Sequence, residues 1–127
     1  MRRWIFVLFT VCMGLCLAGS AIAADRDAIQ GHVDAIVQDI NHGKDAGAVN
    51  PNDYSPYVFI MEQDGNLVVH PELAGKNLKE LAEPVYNALI KSTEKGTWVD
   101  YVWKEQQKHS YVRTTDGGLI VGSGYTE

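Results

Sequence analysis

Aromatic and cationic side chains alternate along the last third of the chain, where together they could bind a small anion. Tyr101 and Trp103 are two residues apart, and so are Tyr111 and Arg113. Residues two apart on a β-strand point to the same face of a sheet. On neighbouring strands, Arg113 could pair bidentately with a carboxylate while the tyrosine hydroxyls donate to the same anion. Trp103 could then enclose the apolar part of the ligand.

The same arginine also permits a purely structural interpretation. Arg113 is the only arginine after the first predicted helix, and its neighbours are aromatic and branched residues, among which an unpaired charge is costly. It could lie exposed, or it could pair with an internal acid such as Asp100 or Glu62. Residue types alone leave these interpretations open.

Three further side chains are candidates for the same site. His70, as neutral imidazole, could donate to a carboxylate from one nitrogen while the backbone fixes the other. Lys108 could help to hold an anion, but its parity is opposite to that of Arg113, so we expect it to reach the same pocket only if the strand bulges or bends. Tyr57 opens a predicted strand, where its ring fits the core better than a ligand site.

The remaining reactive residues form no recognised catalytic or metal-binding pattern. His32, His42 and His109 lack the paired spacing of metal ligands. The segment Gly122-Ser123-Gly124 lies inside a predicted strand and lacks the helix that follows a nucleophile elbow. The acidic residues offer no identifiable acid–base pair. We therefore expect no enzyme activity, no metal and no cofactor.

The elements that must position these residues alternate between helices and antiparallel strands. Residues 24–41 carry an apolar stripe at helical spacing, and Asp64-Gly65 is a tight turn between two strands. Tight turns require antiparallel neighbours, so the pattern predicts a two-layer α+β domain. The predicted order is helix 24–41, strands 57–61 and 66–70, a short helical turn at 78–81, helix 84–95, and strands 97–104, 109–114 and 119–125, with a polar turn at 105–108.

Six short segments between residues 57 and 125 occur in an order that is characteristic of a known family. They are Asp64-Gly65-Asn66, Val69-His70-Pro71, Gly75-Lys76-Asn77-Leu78, GTWVDYVWK at 96–104, KHSYVR at 108–113 and IVGSGY at 120–125. In this order they resemble the single Cache domains, which are extracytoplasmic sensing modules of bacterial receptors and kinases. The resemblance implies a PAS-like antiparallel sheet of about five strands, with a long N-terminal helix packed on one face and a small-molecule pocket on the other.

The resemblance favours the binding interpretation of the tyrosines, Trp103 and Arg113. It also supports His70 as a residue that contacts the ligand. We expect a periplasmic sensory module for a short organic carboxylate, which acts through a membrane receptor or transporter on another chain. The alternative is a ligand-free interaction or structural subunit, in which Tyr101, Trp103 and Tyr111 pack together. In that case the N-terminal helix would be the docking surface, and under either interpretation this helix is a candidate surface for a homodimer. A pocket at the aromatic hairpin with room for a few heavy atoms would favour the first interpretation.

The N-terminal segment predicts export. Arg2 and Arg3 precede an uncharged stretch of 13 residues, and small residues with Ala at 21 and 23 follow. This is the pattern of a cleavable secretory signal, and the stretch is short for a spanning helix, which needs roughly 20 apolar residues. We expect residues 1–23 to be the signal peptide and residues 24–127 to be one Cache-like domain. Both cysteines would leave with the signal, and the net charge would change from −5 to −7, which disfavours nucleic acid as a partner.

Overall fold

The computed structural model describes residues 26–127, so the predicted signal peptide lies outside the described residues. Helix α1 covers residues 26–41 and buries its predicted stripe, of which Ile29, Val33 and Val37 are completely inaccessible. Gly43, with φ 108°, reverses the chain after the helix. Two 3-10 turns, Ala46–Ala48 and Pro51–Asp53, then lead to the first strand. No helix within residues 26–127 has the length and apolarity needed to cross a membrane.

The rest of the chain forms one five-stranded sheet and two short helices. The strands are β1 (Val58–Met61), β2 (Leu67–Val69), β3 (Thr97–Trp103), β4 (Gln106–Thr114) and β5 (Ile120–Thr126), and the helices are α2 (Leu78–Leu81) and α3 (Glu83–Leu89). The strand order is β2-β1-β5-β4-β3, and every neighbouring pair is antiparallel. The α+β fold with a five-stranded antiparallel sheet and an N-terminal helix is therefore confirmed.

The sheet is covered on both faces, so the domain has two cores. Helix α1 packs on one side, which we call the helix face, and α2 and α3 pack on the other, which we call the cavity face. The interior strand β1 is buried at all four positions because its side chains alternate between these cores. The buried sheet residues include Val58, Ile60, Tyr111 and Val121 on the helix face and Phe59, Met61, Val112 and Ile120 on the cavity face.

Two predicted boundaries were wrong. The turn between β3 and β4 is formed by Lys104 and Glu105 alone, with φ 51° and 67°, so β4 begins at Gln106 rather than at residue 109. Helix α3 ends at Leu89 rather than near residue 95, because the following segment turns back to the sheet and its Thr93 forms a bridge with Arg113. The short helix α2 was predicted correctly.

Candidate ligand-binding site

A cavity of about 40 Å³ lies between the cavity face of the sheet and the α2–α3 region, and we call it the inner cavity. This volume is several times the minimum of roughly 10–15 Å³ that a single water molecule requires. Most of the wall is aliphatic or aromatic, and the polar groups are few. The lining residues are Tyr57, Phe59, Leu67, His70, Leu73, Leu78, Val85, Leu89, Tyr101, Trp103 and Lys108.

His70 contributes a hydrogen-bond donor whose tautomer is fixed by the chain that follows it. Its Nδ1 accepts the backbone N–H groups of Glu72 and Leu73, each at 3.0 Å. A ring nitrogen that accepts carries no proton, so the neutral imidazole holds its proton on Nε2. Burial lowers the pKa of His70, with Glu72 acting in the opposite direction and two lysines adding to the decrease. The neutral ring therefore offers a ligand the Nε2–H group.

Among the described residues 26–127, Lys108 is the only lysine or arginine that lines the inner cavity. It lies in β4 opposite Tyr101 of β3, and its Nζ donates to Thr126 Oγ1 at 3.2 Å. It forms no salt bridge within residues 26–127. Burial lowers the pKa of Lys108, since the apolar wall disfavours the charged form. An anion in the cavity would compensate for that partial desolvation.

Two tyrosines complete the polar part of the wall. Tyr101 shares a hydrogen bond of 2.8 Å with Ser110 Oγ, and burial raises its pKa to about 12. Tyr57 packs edge-to-face on His70, with ring centroids 5.2 Å apart, and burial together with the nearby Glu72 raises its pKa. Both phenols therefore remain protonated at neutral pH and can act as donors.

Two glycines of β5 make room for the floor of the cavity. A Cβ atom at Gly122 would collide with the ring of Phe59, and one at Gly124 would collide with Ser110 and with the carbonyl of His109. Glycine inside a strand costs stability and often indicates a close approach of another group. Here the approaching groups are Phe59, which lines the cavity, and Ser110, which holds the hydroxyl of Tyr101.

The structure separates the residues that the sequence placed together. Tyr57, His70, Tyr101, Trp103 and Lys108 line the inner cavity, whereas Tyr111 and Arg113 lie on the helix face. The prediction that Tyr111 and Arg113 share one pocket with Tyr101 and Trp103 is therefore wrong.

The physical reason for this correction is the register of the β3–β4 hairpin. A loop with an even number of residues pairs odd-numbered positions of one strand with even-numbered positions of the other. Tyr101 accordingly faces Lys108, and Trp98 faces Tyr111. The predicted four-residue turn has the same consequence, so Tyr101 and Arg113 could not share a face with either turn. Lys108 reaches the cavity without the bulge that its parity had seemed to require.

Arg113 is bound inside the protein by an acid that the sequence analysis did not consider. Its Nη1 lies 3.0 Å from Oδ1 of Asp34 in α1, and its Nε donates to the carbonyl of Glu94 at 2.7 Å. The hydroxyl of Tyr111 donates to the same Asp34 oxygen at 3.0 Å. Asp100 binds His109 instead of Arg113, with 2.6 Å between Oδ1 and Nδ1. Arg113 thus fastens α1 to the sheet, and its predicted role in the pocket is replaced by a structural one.

A larger space adjoins the inner cavity, and we call it the outer hollow. It has a volume of about 360 Å³, and Tyr57, His70, Leu73 and Trp103 line both spaces. The residues found only in the outer hollow are Asn52, Pro71, Glu72 and Lys104.

The sequence analysis missed most of the apolar wall and the residues that line only the outer hollow. The wall residues Val85 and Leu89 lie in the predicted helix 84–95, for which we expected no part in binding. Gly122 and Gly124 lie inside a predicted strand, where glycine often indicates the close approach of another group, and this signal does correspond to the base of the cavity. Lys104 and Glu72 carried no signal, because one lies in a turn whose position was mispredicted and the other follows a proline in a loop.

A half-enclosed, largely apolar cavity on one face of a five-stranded antiparallel sheet defines a small-molecule-binding module of the PAS-like type. A family model described as a Cache domain matches residues 47–127, which is more than half of the chain, and the protein belongs to this family. Cache domains are extracytoplasmic modules that sense small molecules and are sensory rather than catalytic. No curated protein matches the chain.

Proposed function

We propose that this Cache domain binds a short monocarboxylate in the inner cavity and acts as a periplasmic sensory module. The observation that carries the proposal is that Lys108 lines a mostly apolar cavity and forms no salt bridge within residues 26–127. Partial burial of an unpaired cation is unfavourable unless an anion joins it. A bound carboxylate would supply that charge.

The other polar groups of the wall also favour an anion. His70 offers Nε2–H, and the hydroxyl of Tyr57 can donate. The hydroxyl of Tyr101 is hydrogen-bonded to Ser110 Oγ, and it can also donate to the carboxylate of a ligand. Within residues 26–127 no carboxylate side chain lines the inner cavity, so a ligand ammonium group would lack a partner of opposite charge among them. We therefore favour carboxylates over amines and zwitterionic amino acids.

The size and apolarity of the cavity limit the rest of the ligand. A volume of about 40 Å³ suits only a few heavy atoms. Phe59, Leu73 and Leu89 can contact a short alkyl tail, and Trp103 can cover it on the side of the outer hollow. Acetate and propionate fit these limits better than long-chain or aromatic acids. The room for a ligand also favours this function over a ligand-free structural subunit.

The bound state would act through another chain. We propose that the exported domain, once its signal peptide is removed, presents the loaded form to a membrane receptor or transporter. The exposed side of α1 is the surface we favour for docking or for a homodimer. Arg113 and Tyr111 hold this helix on the face of the sheet opposite the cavity, so both faces share strands β3 and β4.

A thermal-shift and calorimetric titration of residues 24–127 with acetate, propionate and butyrate tests the proposal. At about 100 times its dissociation constant, a ligand stabilises a protein by about 2.7 kcal/mol, which corresponds to roughly 10 °C for a domain of this size. Propionamide, which has the same shape without the charge, should give no shift. Lys108→Met should abolish the shift, whereas the matched substitution Lys91→Met, at an exposed lysine outside both spaces, should leave it unchanged. Absence of a shift with every acid, or undiminished binding by Lys108→Met, would refute the proposal.

A further inference from the structure

The turn between β3 and β4 is built from residues that are poorly suited to it. Lys104 and Glu105 both have positive φ, 51° and 67°. A two-residue hairpin turn with both central residues in this region strongly favours Asn-Gly or Asp-Gly, because a Cβ atom crowds the backbone at positive φ, which glycine avoids and Asn or Asp tolerates best. Neither residue forms a hydrogen bond through its side chain within residues 26–127. The requirements of folding therefore do not account for a lysine at this position.

The position of Lys104 does have a consequence for ligand access. The residue lines the outer hollow, and its Nζ lies 5.5 Å from the ring centroid of Trp103, which lines both spaces. Lys108 lies in the wall of the adjoining inner cavity. An anion that enters through the outer hollow would meet the charge of Lys104 before that of Lys108.

The overall charge of the protein makes such a local cation useful. The chain carries a net charge of −5, so its general field repels an anion. Glu72 adds a negative charge at the rim of the outer hollow. The electrostatic effect of Lys104 reaches His70, which lines both spaces, and contributes to the lowered pKa of that histidine. A cation on the entry path offsets the repulsion where it matters for association.

We propose that Lys104 is an electrostatic guide, which draws an anionic ligand through the outer hollow into the inner cavity and is retained in an unfavourable turn for that purpose. This inference rests on the proposed binding of a carboxylate. It assigns Lys104 to the association step and Lys108 to the bound state. The two lysines should therefore affect different rate constants.

The test measures the association and dissociation rates of propionate by NMR line-shape analysis, with residues 24–127 at low and high ionic strength. At about 10 mM salt, where charges act over roughly 30 Å, Lys104→Gln should lower the association rate about three- to tenfold and change the dissociation rate less than twofold. At about 1 M salt, where the range is roughly 3 Å, the difference should vanish. Lys104→Arg should behave as wild type. Lys91→Gln, which removes the same charge away from both spaces, should have no effect on either rate.

A second variant separates the effect of Lys104 on the association rate from its effect on the stability of the protein. Lys104→Asn places a residue favoured in this conformation in the turn, so it should raise the melting temperature by a few degrees while it lowers the association rate as Lys104→Gln does. A wild-type protein that binds propionate, together with a Lys104→Gln variant whose association rate is unchanged at low salt, would overturn the guide and leave the proposed function intact. A wild-type protein that binds no carboxylate would overturn both.

Discussion

Tyr101 and Lys108 face each other across the β3–β4 ladder on the cavity face, while Trp98 and Tyr111 face each other on the opposite side of the same two strands. The hairpin thus divides its aromatic residues between two tasks. One set lines the inner cavity, and the other set holds helix α1 through Asp34. A ligand that shifts either strand would therefore also move α1, although the ligand does not contact this helix.

The first prediction concerns Arg113, which the structure places outside the pocket. Arg113→Ala should lower the free energy of unfolding by about 1–2 kcal/mol without any ligand, because it removes a charged hydrogen bond and leaves Asp34 without its cation. The pair is partly exposed, with side-chain accessibilities of 24% and 41%, so we place the effect below that of a fully buried pair. Urea denaturation of the ligand-free variant measures it. Binding of propionate should be unchanged, and a variant of wild-type stability would show that the pair is not formed in solution.

A double-mutant cycle with Asp34→Ala separates this pair from its surroundings. The coupling energy should be about 0.5–1 kcal/mol, since the two residues are in contact and partly solvated. Additive effects of the two substitutions would contradict the arrangement on the helix face.

The second prediction uses two glycines that share an unusual backbone conformation. Gly96 and Gly43 have φ values of 93° and 108°, but only Gly96 has a neighbour that a Cβ atom would strike, namely the hydroxyl of Tyr111. Gly43→Ala should cost about 1–2 kcal/mol from backbone strain alone. Gly96→Ala should cost more, because the ring of Tyr111 must also move. Equal melting temperatures of the two variants would mean that the ring adjusts freely.

Most of the fold could be predicted from the sequence, because its elements depend on local patterns. The stripe Ile29, Val33 and Val37 recurs at helical spacing, and the glycine of the Asp64-Gly65 turn has φ 99°. The order of strands in the sheet could not be obtained in this way, since the pairing of β1 with β5 joins residues that are far apart in the chain. Local spacing contains no information about that partner.

The candidate site was predicted less well, for reasons of pairing and distance. Tyr101 and Trp103 were assigned correctly to one face, but their neighbours on β4 follow from the number of residues in the turn. The partner of Arg113 lies 79 residues earlier in the chain, beside the apolar stripe of α1. A carboxylate at the border of a buried helical stripe was a usable signal, because such a position lies close to the sheet. The motifs that resemble Cache domains include hairpin residues from both faces of the sheet, and they do not show which face binds the ligand.

The third prediction compares the two glycines under the cavity. Gly122→Ala should displace the ring of Phe59, which is a movable side chain, and should therefore weaken propionate binding at least tenfold with a modest loss of stability. Gly124→Ala meets the backbone carbonyl of His109 as well as Ser110, and backbone atoms of a paired strand cannot easily move. This variant should lose about 2 kcal/mol or more of stability. Calorimetric titration and thermal melting of both variants test the contrast, and the reverse order of destabilisation would contradict it.

The last prediction concerns two histidines whose pKa values should move in opposite directions. Burial lowers the pKa of His70, whose Nδ1 must stay unprotonated to accept two backbone N–H groups. The hydrogen bond to Asp100 raises the pKa of His109, with Glu127 contributing in the same direction. In an NMR titration of the Cε1–H resonances of the ligand-free domain, His70 should therefore titrate below pH 6.5 and His109 above it.

These shifts also fix the pH dependence of stability. The contribution of His70 is present above pH 6.5 and is lost as the pH falls through its lowered folded-state pKa, because the unfolded chain then binds the extra proton. The contribution of His109 is complete below pH 6.5 and is lost as the pH rises through its raised folded-state pKa. His109→Gln should accordingly flatten the stability curve only on the alkaline side, and His70→Gln only on the acidic side. A His70 resonance that titrates above pH 6.5 in the ligand-free protein would show that its Nδ1 does not hold the backbone of Glu72 and Leu73, and the Nε2–H donor inferred for the cavity would then lose its basis.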